Sequence, residues 1–126
     1  MVDFLLKQLK VHFCADGGVL YEIYKKEGFG QLAIRTVLPG VTVGGHRHLL
    51  THEMWLVFKG RAALFLEYPD GIREIKRVSG ENWKPVRLPA GTGHDIKNVG
   101  DDEMAFLFFA DKLYDPEAPD KEPWAW

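Results

Sequence analysis

The sequence has little of several features that mark other classes of protein. Its single cysteine, Cys14, cannot form a disulfide within the chain, which agrees with a reducing compartment. Its 16 basic and 18 acidic residues are interspersed and leave a formal charge of −2, so no basic block would hold nucleic acid or an anionic membrane. No apolar run reaches membrane-spanning length, and residues 1–10 hold too short a run for a signal peptide. We therefore predict a cytoplasmic protein that binds neither nucleic acid nor membrane.

Internal repeats, low-complexity tracts and linkers are also missing, and the 126 residues suffice for one domain but not for two. The 13 glycines separate short segments in which apolar and polar residues alternate, as in residues 19–26 and 31–38. About ten short strands result, with no long helix. We predict an all-β fold over residues 1–126, in which two antiparallel sheets close as a jelly-roll barrel.

The last part of the chain, residues 111–126, has a different composition. Three prolines and repeated acidic residues argue against a strand. Trp124 and Trp126 are nevertheless too apolar to be left in water. We expect a non-strand tail that packs on the barrel or on a partner subunit.

The most informative stretch for chemistry is residues 40–60. His46 and His48 stand two positions apart, so in a strand they point to one side while Arg47 points to the other. After a short connection the chain predicts a returning strand, which brings Glu53 back beside the two imidazoles. Three potential metal ligands therefore come from one hairpin.

A fourth ligand is predicted downstream, where Pro89 and Gly91 form a turn and His94 opens another strand. Three imidazoles and one carboxylate suit borderline divalent metals and leave a position for water or substrate. We predict one divalent ion, with zinc as the first choice and iron, manganese or nickel as alternatives, held by His46, His48, Glu53 and His94.

The spacing of these residues resembles the two motifs of the cupin superfamily. The matching positions are Gly40, His46, His48, Glu53 and Gly60 in the first motif and Pro89, Gly91, His94 and Asn98 in the second. The resemblance implies the jelly-roll fold with the ion inside the barrel. Cupins commonly pair, so together with the tryptophans of the tail it also implies a homodimer.

Residues 30–48 and 108–120 resemble, more narrowly, the C-terminal cupin domain of capsular-polysaccharide UDP-sugar reductase/epimerases. This resemblance implies a metal-dependent epimerase or isomerase that acts on a nucleotide-linked 4-keto-6-deoxyhexose through an enolate, in polysaccharide biosynthesis. Those relatives carry an Asp-x-Arg-Gly-x-x-x-Glu segment whose arginine contacts the nucleotide diphosphate. Here residues 15–22 have Gly17 where that arginine would stand. The predicted substrate-binding residues are instead the guanidinium groups of Arg35, Arg47 and Arg61.

The implied chemistry needs a group that removes a proton beside a ketone and a group that returns it on the other face. A divalent ion would polarise the ketone as a Lewis acid. We expect burial to raise the pKa of Glu22 if this residue faces inward, as a base requires. The candidates for proton transfer are Glu22, His52 and Tyr24, followed by Tyr21 and Asp95.

Two other functions stay open on the sequence. The same ligands would serve a metal-dependent cupin dioxygenase that uses iron or manganese, and no sequence feature excludes it. A barrel that binds a sugar or a small acid without catalysis is the second alternative.

Overall fold

The protein is described here by a computed structural model that covers residues 9–113, 115, 117 and 119–126. Within these ranges the chain forms eleven β-strands and no helix, which confirms the predicted all-β class. No helix in this part of the chain is long and apolar enough to cross a membrane. The strands are β1 (Lys10–Phe13), β2 (Val19–Lys26), β3 (Gly30–Val37), β4 (Thr42–His48), β5 (Glu53–Lys59), β6 (Arg61–Glu67), β7 (Arg73–Ser79), β8 (Val86–Leu88), β9 (Gly93–Asn98), β10 (Met104–Ala110) and β11 (Lys121–Pro123).

The strands are arranged in two antiparallel sheets. The six-stranded sheet has the order β1-β2-β3-β10-β5-β8, and the five-stranded sheet has the order β11-β4-β9-β6-β7. Strands that follow each other along the chain often lie in different sheets, as β3 and β4 or β9 and β10 do, so the connections cross between the sheets. This arrangement confirms the predicted antiparallel jelly roll.

Side chains from both sheets meet in one apolar core. On β5 the alternation buries Trp55 and Val57, and on β6 it buries Leu64 and Leu66. Phe106 of β10 stacks on Trp55 with ring centroids 4.6 Å apart. Burying each of these side chains contributes about 1.5–3 kcal/mol. We therefore expect the core, rather than a bound ion, to hold the sheets together.

The C-terminal segment differs from the prediction of a non-strand tail. Lys121–Pro123 form β11, which pairs antiparallel with β4. Pro123 is tolerated because β11 is an edge strand. Trp124 is 8% exposed and its indole N–H donates to Glu67 at 2.9 Å, whereas Trp126 is 45% exposed beside Phe65. Residues 1–8, 114, 116 and 118, which also belong to the predicted domain, lie outside the described residues.

Arg35, on β3, anchors the turn that precedes β2. Its Nη2 lies 2.6 Å from Asp16 Oδ2, and its Nη1 donates to the carbonyl oxygen of Thr36 at 2.8 Å. Asp16 Oδ1 also accepts the Gly18 N–H at 2.9 Å. The hydrogen bond from Arg35, followed by that from Gly18, lowers the pKa of the Asp16 carboxyl.

We expect Asp16→Asn to reduce the free energy of unfolding by about 1 kcal/mol at neutral pH, because the substitution removes the charged partner of Arg35. The folded-state pKa of Asp16 lies below 3.8, the ordinary value for an aspartate side chain. Its contribution is therefore fully present above that value and is lost as the pH falls through the folded-state pKa. Urea unfolding should show a clear difference between wild type and variant at neutral pH and a smaller one at about pH 3.

The matched control is Asp70→Asn. Asp70 Oδ1 accepts the Ile72 N–H at 3.0 Å, as Asp16 accepts the Gly18 N–H. Asp70 has no ion-pair partner among the residues that the structure describes, so we expect a smaller loss. Equal losses in the two variants would contradict the assigned role of the Arg35 ion pair.

Candidate metal centre

Three histidines converge from two neighbouring strands. His46 and His48 lie on β4, and His94 lies on β9, where it is directly opposite His46 in the pairing register. One ring nitrogen of each histidine lies within 4.8 Å of the other two. The three predicted histidine ligands are therefore close enough to bind one ion.

A β-bulge in β4 aims these side chains. The register with β9 shifts between Gly44 and His46, which leaves Gly45 as the extra residue. Gly44 and Gly45 have φ values of 117° and 75°, which favour glycine, and a Cβ on Gly44 would lie 2.6 Å from the carbonyl oxygen of His94. Because of the bulge, Val43 and His46 both face the interior although they stand three positions apart.

Backbone carbonyl groups orient two of the imidazoles. His46 Nδ1 lies 3.2 Å from the carbonyl oxygen of Gly44, and His94 Nδ1 lies 3.0 Å from that of Thr92. A carbonyl oxygen can only accept, so each Nδ1 carries the hydrogen and each Nε2 keeps its lone pair. This is the tautomer that metal binding through Nε2 requires.

Burial also keeps these two imidazoles uncharged. Burial, followed by repulsion from His94 and His48, lowers the pKa of His46 to about 4. Burial likewise lowers the pKa of His94, which is 2% exposed. Both rings are neutral at neutral pH, as ligands must be.

His48 has carboxylates on both sides. Its Nδ1 lies 3.1 Å from Asp120 Oδ1, and its Nε2 lies 2.9 Å from Glu53 Oε1. Burial alone would lower the pKa of His48, but the hydrogen bonds and charges of Glu53 and Asp120 outweigh it, so the pKa is raised. Burial would raise the pKa of Glu53, yet the hydrogen bond with His48 and the neighbouring histidine charges lower it. Glu53, the predicted carboxylate ligand, is thus ionised and lies beside His48 at the edge of the histidine cluster.

The donor set fits a divalent ion. His94 Nε2 is buried and has no hydrogen-bond partner among the described residues. A buried polar atom without a partner is unfavourable, and an ion between the rings would satisfy it. Two neutral imidazoles, a third that gives up a proton when it binds metal, and a carboxylate are donors that zinc and other borderline metals accept.

A cavity of about 560 Å³ opens beside the histidines, large enough for a small-molecule substrate. His46, His48 and Glu53 lie in its wall. Its apolar lining includes Trp55, Phe106 and Phe108, and its other charged lining residues are Glu22, Arg35, Lys112, Asp115, Asp120 and Lys121.

Glu22 lies in the cavity wall, but its environment is not the one we expected. Its carboxylate is 2.6 Å from Lys25 Nζ and 2.8 Å from His12 Nε2. Burial on its own would raise the pKa of Glu22. The hydrogen bonds from Lys25 and His12 outweigh burial, so the pKa is lowered overall. The expectation of a raised pKa is therefore wrong.

His52 and Tyr24 are not among the described residues that line the cavity. His52 is exposed, and its Nδ1 accepts the Ala90 N–H at 3.1 Å. Tyr24 is half-buried and packs edge-on against Phe29, with ring centroids 5.4 Å apart. Neither side chain therefore stands at the cavity, and we do not propose either residue for proton transfer.

Only one of the three predicted arginines lies at the cavity. Arg35 is in its wall, and the hydrogen bonds to Asp16 and Thr36 hold its guanidinium group. Arg47 points away from the histidines, and its Nη2 lies 3.0 Å from Glu67 Oε2. Arg61 is exposed at the start of β6 and is not among the lining residues described.

Sequence reasoning missed the contribution of the C-terminal segment to the cavity. Lys112, Asp115, Asp120 and Lys121 line it, although residues 111–126 were assigned to a tail. The acidic residues between the prolines were visible in the sequence. They did not reveal that Lys121–Pro123 pair with β4, and only that pairing places Asp120 beside His48.

Three known proteins are similar to the chain in sequence. A UDP-2-acetamido-2,6-beta-L-arabino-hexul-4-ose reductase from Pseudomonas aeruginosa is 38% identical over 104 residues, which are 82% of this chain and 28% of that protein. A glucose-6-phosphate isomerase from Pyrococcus furiosus is 32% identical over 103 residues, covering 71% of this chain and 53% of that protein. A probable low-salt glycan biosynthesis epimerase, Agl13, from Haloferax volcanii is 32% identical over 94 residues, covering 67% and 58%. The chain thus spans less than two thirds of each relative.

The fold is similar to that of the capsular polysaccharide assembling protein CapF from Staphylococcus aureus. The TM-score is 0.87 at 27% identity, over 94% of this chain and 34% of CapF. The family of polysaccharide biosynthesis C-terminal domains matches residues 14–122. These findings confirm the predicted resemblance to sugar-nucleotide cupins, and the chain belongs to the family of polysaccharide biosynthesis C-terminal domains.

Proposed function

We propose that this domain is a metal-dependent epimerase or isomerase of nucleotide-linked 4-keto-6-deoxyhexoses. The observation that carries the proposal is the convergence of His46, His48 and His94 within 4.8 Å beside a cavity of about 560 Å³. The relatives support a sugar substrate, because they are named as a UDP-sugar reductase, a sugar phosphate isomerase and a glycan biosynthesis epimerase. The family supports a role in polysaccharide biosynthesis.

His46 and His94 would hold the ion through the Nε2 atoms that their Nδ1 hydrogen bonds leave available. His48 would hold it through the Nε2 that now faces Glu53, after release of a proton. Glu53 would complete the ligand set, because its Oε1 already lies 2.9 Å from His48 Nε2. When bound, a divalent ion supplies Lewis acidity to a carbonyl oxygen beside it. Zinc suits these donors best, and iron, manganese and nickel are the alternatives.

Glu22 is the residue that we propose for proton transfer, because it alone of the three preferred candidates lines the cavity. Its lowered pKa makes it an ionised carboxylate at neutral pH, which can accept a proton while Lys25 and His12 contact it. A carboxylate of low pKa is a weak base. The hydrogen that it removes must therefore be one acidified by an adjacent carbonyl, and a 4-keto sugar has such a hydrogen.

Apolar and charged residues both line the cavity, and this combination suits a nucleotide-linked deoxysugar. Trp55, Phe106 and Phe108 offer an apolar surface for a sugar that lacks a hydroxyl group. Lys112 and Lys121 also line the cavity and are the groups that we propose to contact a diphosphate, with Asp115 and Asp120 in the same lining.

We expect the purified wild-type protein to bind about one divalent ion per chain, and we expect His46→Ala or His94→Ala to lose most of it, because each removes one ligand. Elemental analysis after incubation with zinc measures the metal content, and circular dichroism checks the fold. The variants should stay folded because the apolar core holds the sheets.

The control for metal content is His52→Ala. His52 is an exposed histidine outside the cluster, so its removal should leave the metal content unchanged. Full metal content in folded His94→Ala, or none in wild-type protein offered zinc, iron, manganese and nickel in turn, would contradict the metal site.

We expect the metal-loaded protein in heavy water to introduce deuterium at a carbon beside the carbonyl of a UDP-linked 4-keto-6-deoxyhexose. Removal and return of the proton should exchange it with solvent. Glu22→Gln should slow this incorporation by about 10²- to 10⁴-fold, because an amide cannot accept the proton. Mass spectrometry and proton NMR of the recovered sugar measure the exchange.

Glu27→Gln is the matched control, because Glu27 is an exposed carboxylate in the turn after β2. If the wild-type protein introduces no deuterium, the epimerase proposal is wrong for this substrate. Exchange into a hexose phosphate instead would move the substrate class to sugar phosphates, and substrate-dependent oxygen uptake would favour the dioxygenase.

A further inference from the structure

We propose that Asp120 is a positioning residue for the metal site, and that it makes metal affinity depend on the docking of the closing segment, defined here as residues 119–124. The inference rests on the proposed metal-dependent function. It concerns how His48 is held rather than which substrate is bound.

The carboxylate of Asp120 is fully engaged with the connection between β4 and β5. Its Oδ1 lies 3.1 Å from His48 Nδ1, and its Oδ2 accepts the Thr51 hydroxyl at 2.7 Å and the Leu50 N–H at 3.1 Å. The backbone carbonyl of Asp120 also accepts the Leu49 N–H at 2.7 Å. Three contacts to the carboxylate and one to the backbone carbonyl therefore fix the position of Asp120 and the plane of its carboxylate.

A carboxylate that accepts a hydrogen bond from an imidazole orients the ring and selects its tautomer. By accepting the hydrogen on Nδ1 it fixes the ring orientation and makes Nε2, which now faces Glu53 Oε1 at 2.9 Å, the nitrogen that would bind the ion. His46 and His94 obtain the same help from carbonyl groups two residues away on their own chain segments. His48 obtains it from a side chain 72 positions away in sequence. Of the three histidines, His48 is thus the one whose orientation depends on tertiary docking.

The closing segment also contacts the rest of the site. β11 pairs with β4 so that Lys121 is opposite His48 and Pro123 is opposite His46. The backbone N–H of Trp124 donates to the carbonyl oxygen of Gly45, the extra residue of the bulge, at 2.9 Å.

The indole ring of Trp124 packs directly on β9. Gly93 precedes the ligand His94, and a Cβ on Gly93 would come within 2.5 Å of the Trp124 ring. The closing segment therefore holds both strands that carry ligands, and we infer that its docking and the geometry of the metal site are coupled.

The test is the affinity for Zn²⁺, measured by competition with a chromophoric chelator. Asp120→Asn and Asp120→Ala should bind zinc about 10- to 100-fold more weakly than wild type, with the larger loss in the alanine variant. Glu122→Gln is the matched control. Glu122 lies in the same segment but faces Arg47, with its Oε1 3.5 Å from Arg47 Nε, so its affinity for zinc should be that of wild type.

A second readout separates orientation of His48 from general loss of structure. In zinc-loaded wild-type protein, nitrogen–proton NMR correlation of the imidazole rings should show a protected hydrogen on His48 Nδ1. In Asp120→Ala that signal should disappear, while the corresponding signals of His46 and His94 remain.

Each outcome decides the matter. Folded Asp120 variants with wild-type zinc affinity overturn the inference while leaving the metal site intact. If the variants fail to fold, the wild-type spectrum decides, because a zinc-loaded His48 without a hydrogen on Nδ1 also overturns it. A wild-type protein that binds no zinc removes the proposed function and the inference together.

Discussion

The candidate site depends on the pairing of β4 with β9. This pairing sets His46 opposite His94, and the bulge at Gly44 and Gly45 then turns His46 towards the cavity. Without the bulge, strict alternation would place Val43 and His46 on opposite faces of the strand. The backbone thus arranges two candidate ligands on one strand and a third on its neighbour, while the six-stranded sheet supplies Glu53 through β5.

The electrostatics of the site follow from this position inside an apolar barrel. Burial lowers the pKa of His46 and His94, so their lone pairs are available at neutral pH. His48 differs because Glu53 and Asp120 flank it and raise its pKa. The buried His94 Nε2 has no partner in the part of the chain that the structure describes. A buried polar atom without a partner lowers the stability of the fold, and a bound ion would provide that partner.

The sequence predicted the features that depend on local pattern. Alternation and glycine spacing predicted the all-β class, and the positions of His46, His48 and His94 predicted which imidazoles come together. The all-β class and the shared face of His46 and His48 follow from the geometry of single strands, whereas the place of His94 was implied by the resemblance to the cupin motifs. The spacing of Glu53 from the histidines likewise predicted its place beside His48.

Features that depend on which strands pair, on their register and on individual side-chain contacts could not be predicted in this way. The sequence does not show that Lys25 and His12 hold the Glu22 carboxylate, and so the direction of its pKa shift was missed. The contact of Asp120 with His48 was missed for the same reason, because it spans 72 positions and needs β11 to pair with β4. The outward direction of Arg47, in contrast, does follow from the alternation of β4 and could have excluded this arginine from the cavity.

The central claim is that one ion is bound by imidazole nitrogens from His46, His48 and His94. X-ray absorption spectroscopy of the zinc-loaded wild-type protein tests it most directly, because the fine structure counts imidazole ligands. We expect three imidazole nitrogens at about 2.0–2.1 Å from the zinc, together with an oxygen ligand. A spectrum with one imidazole or none, in protein that holds one zinc per chain, would contradict it.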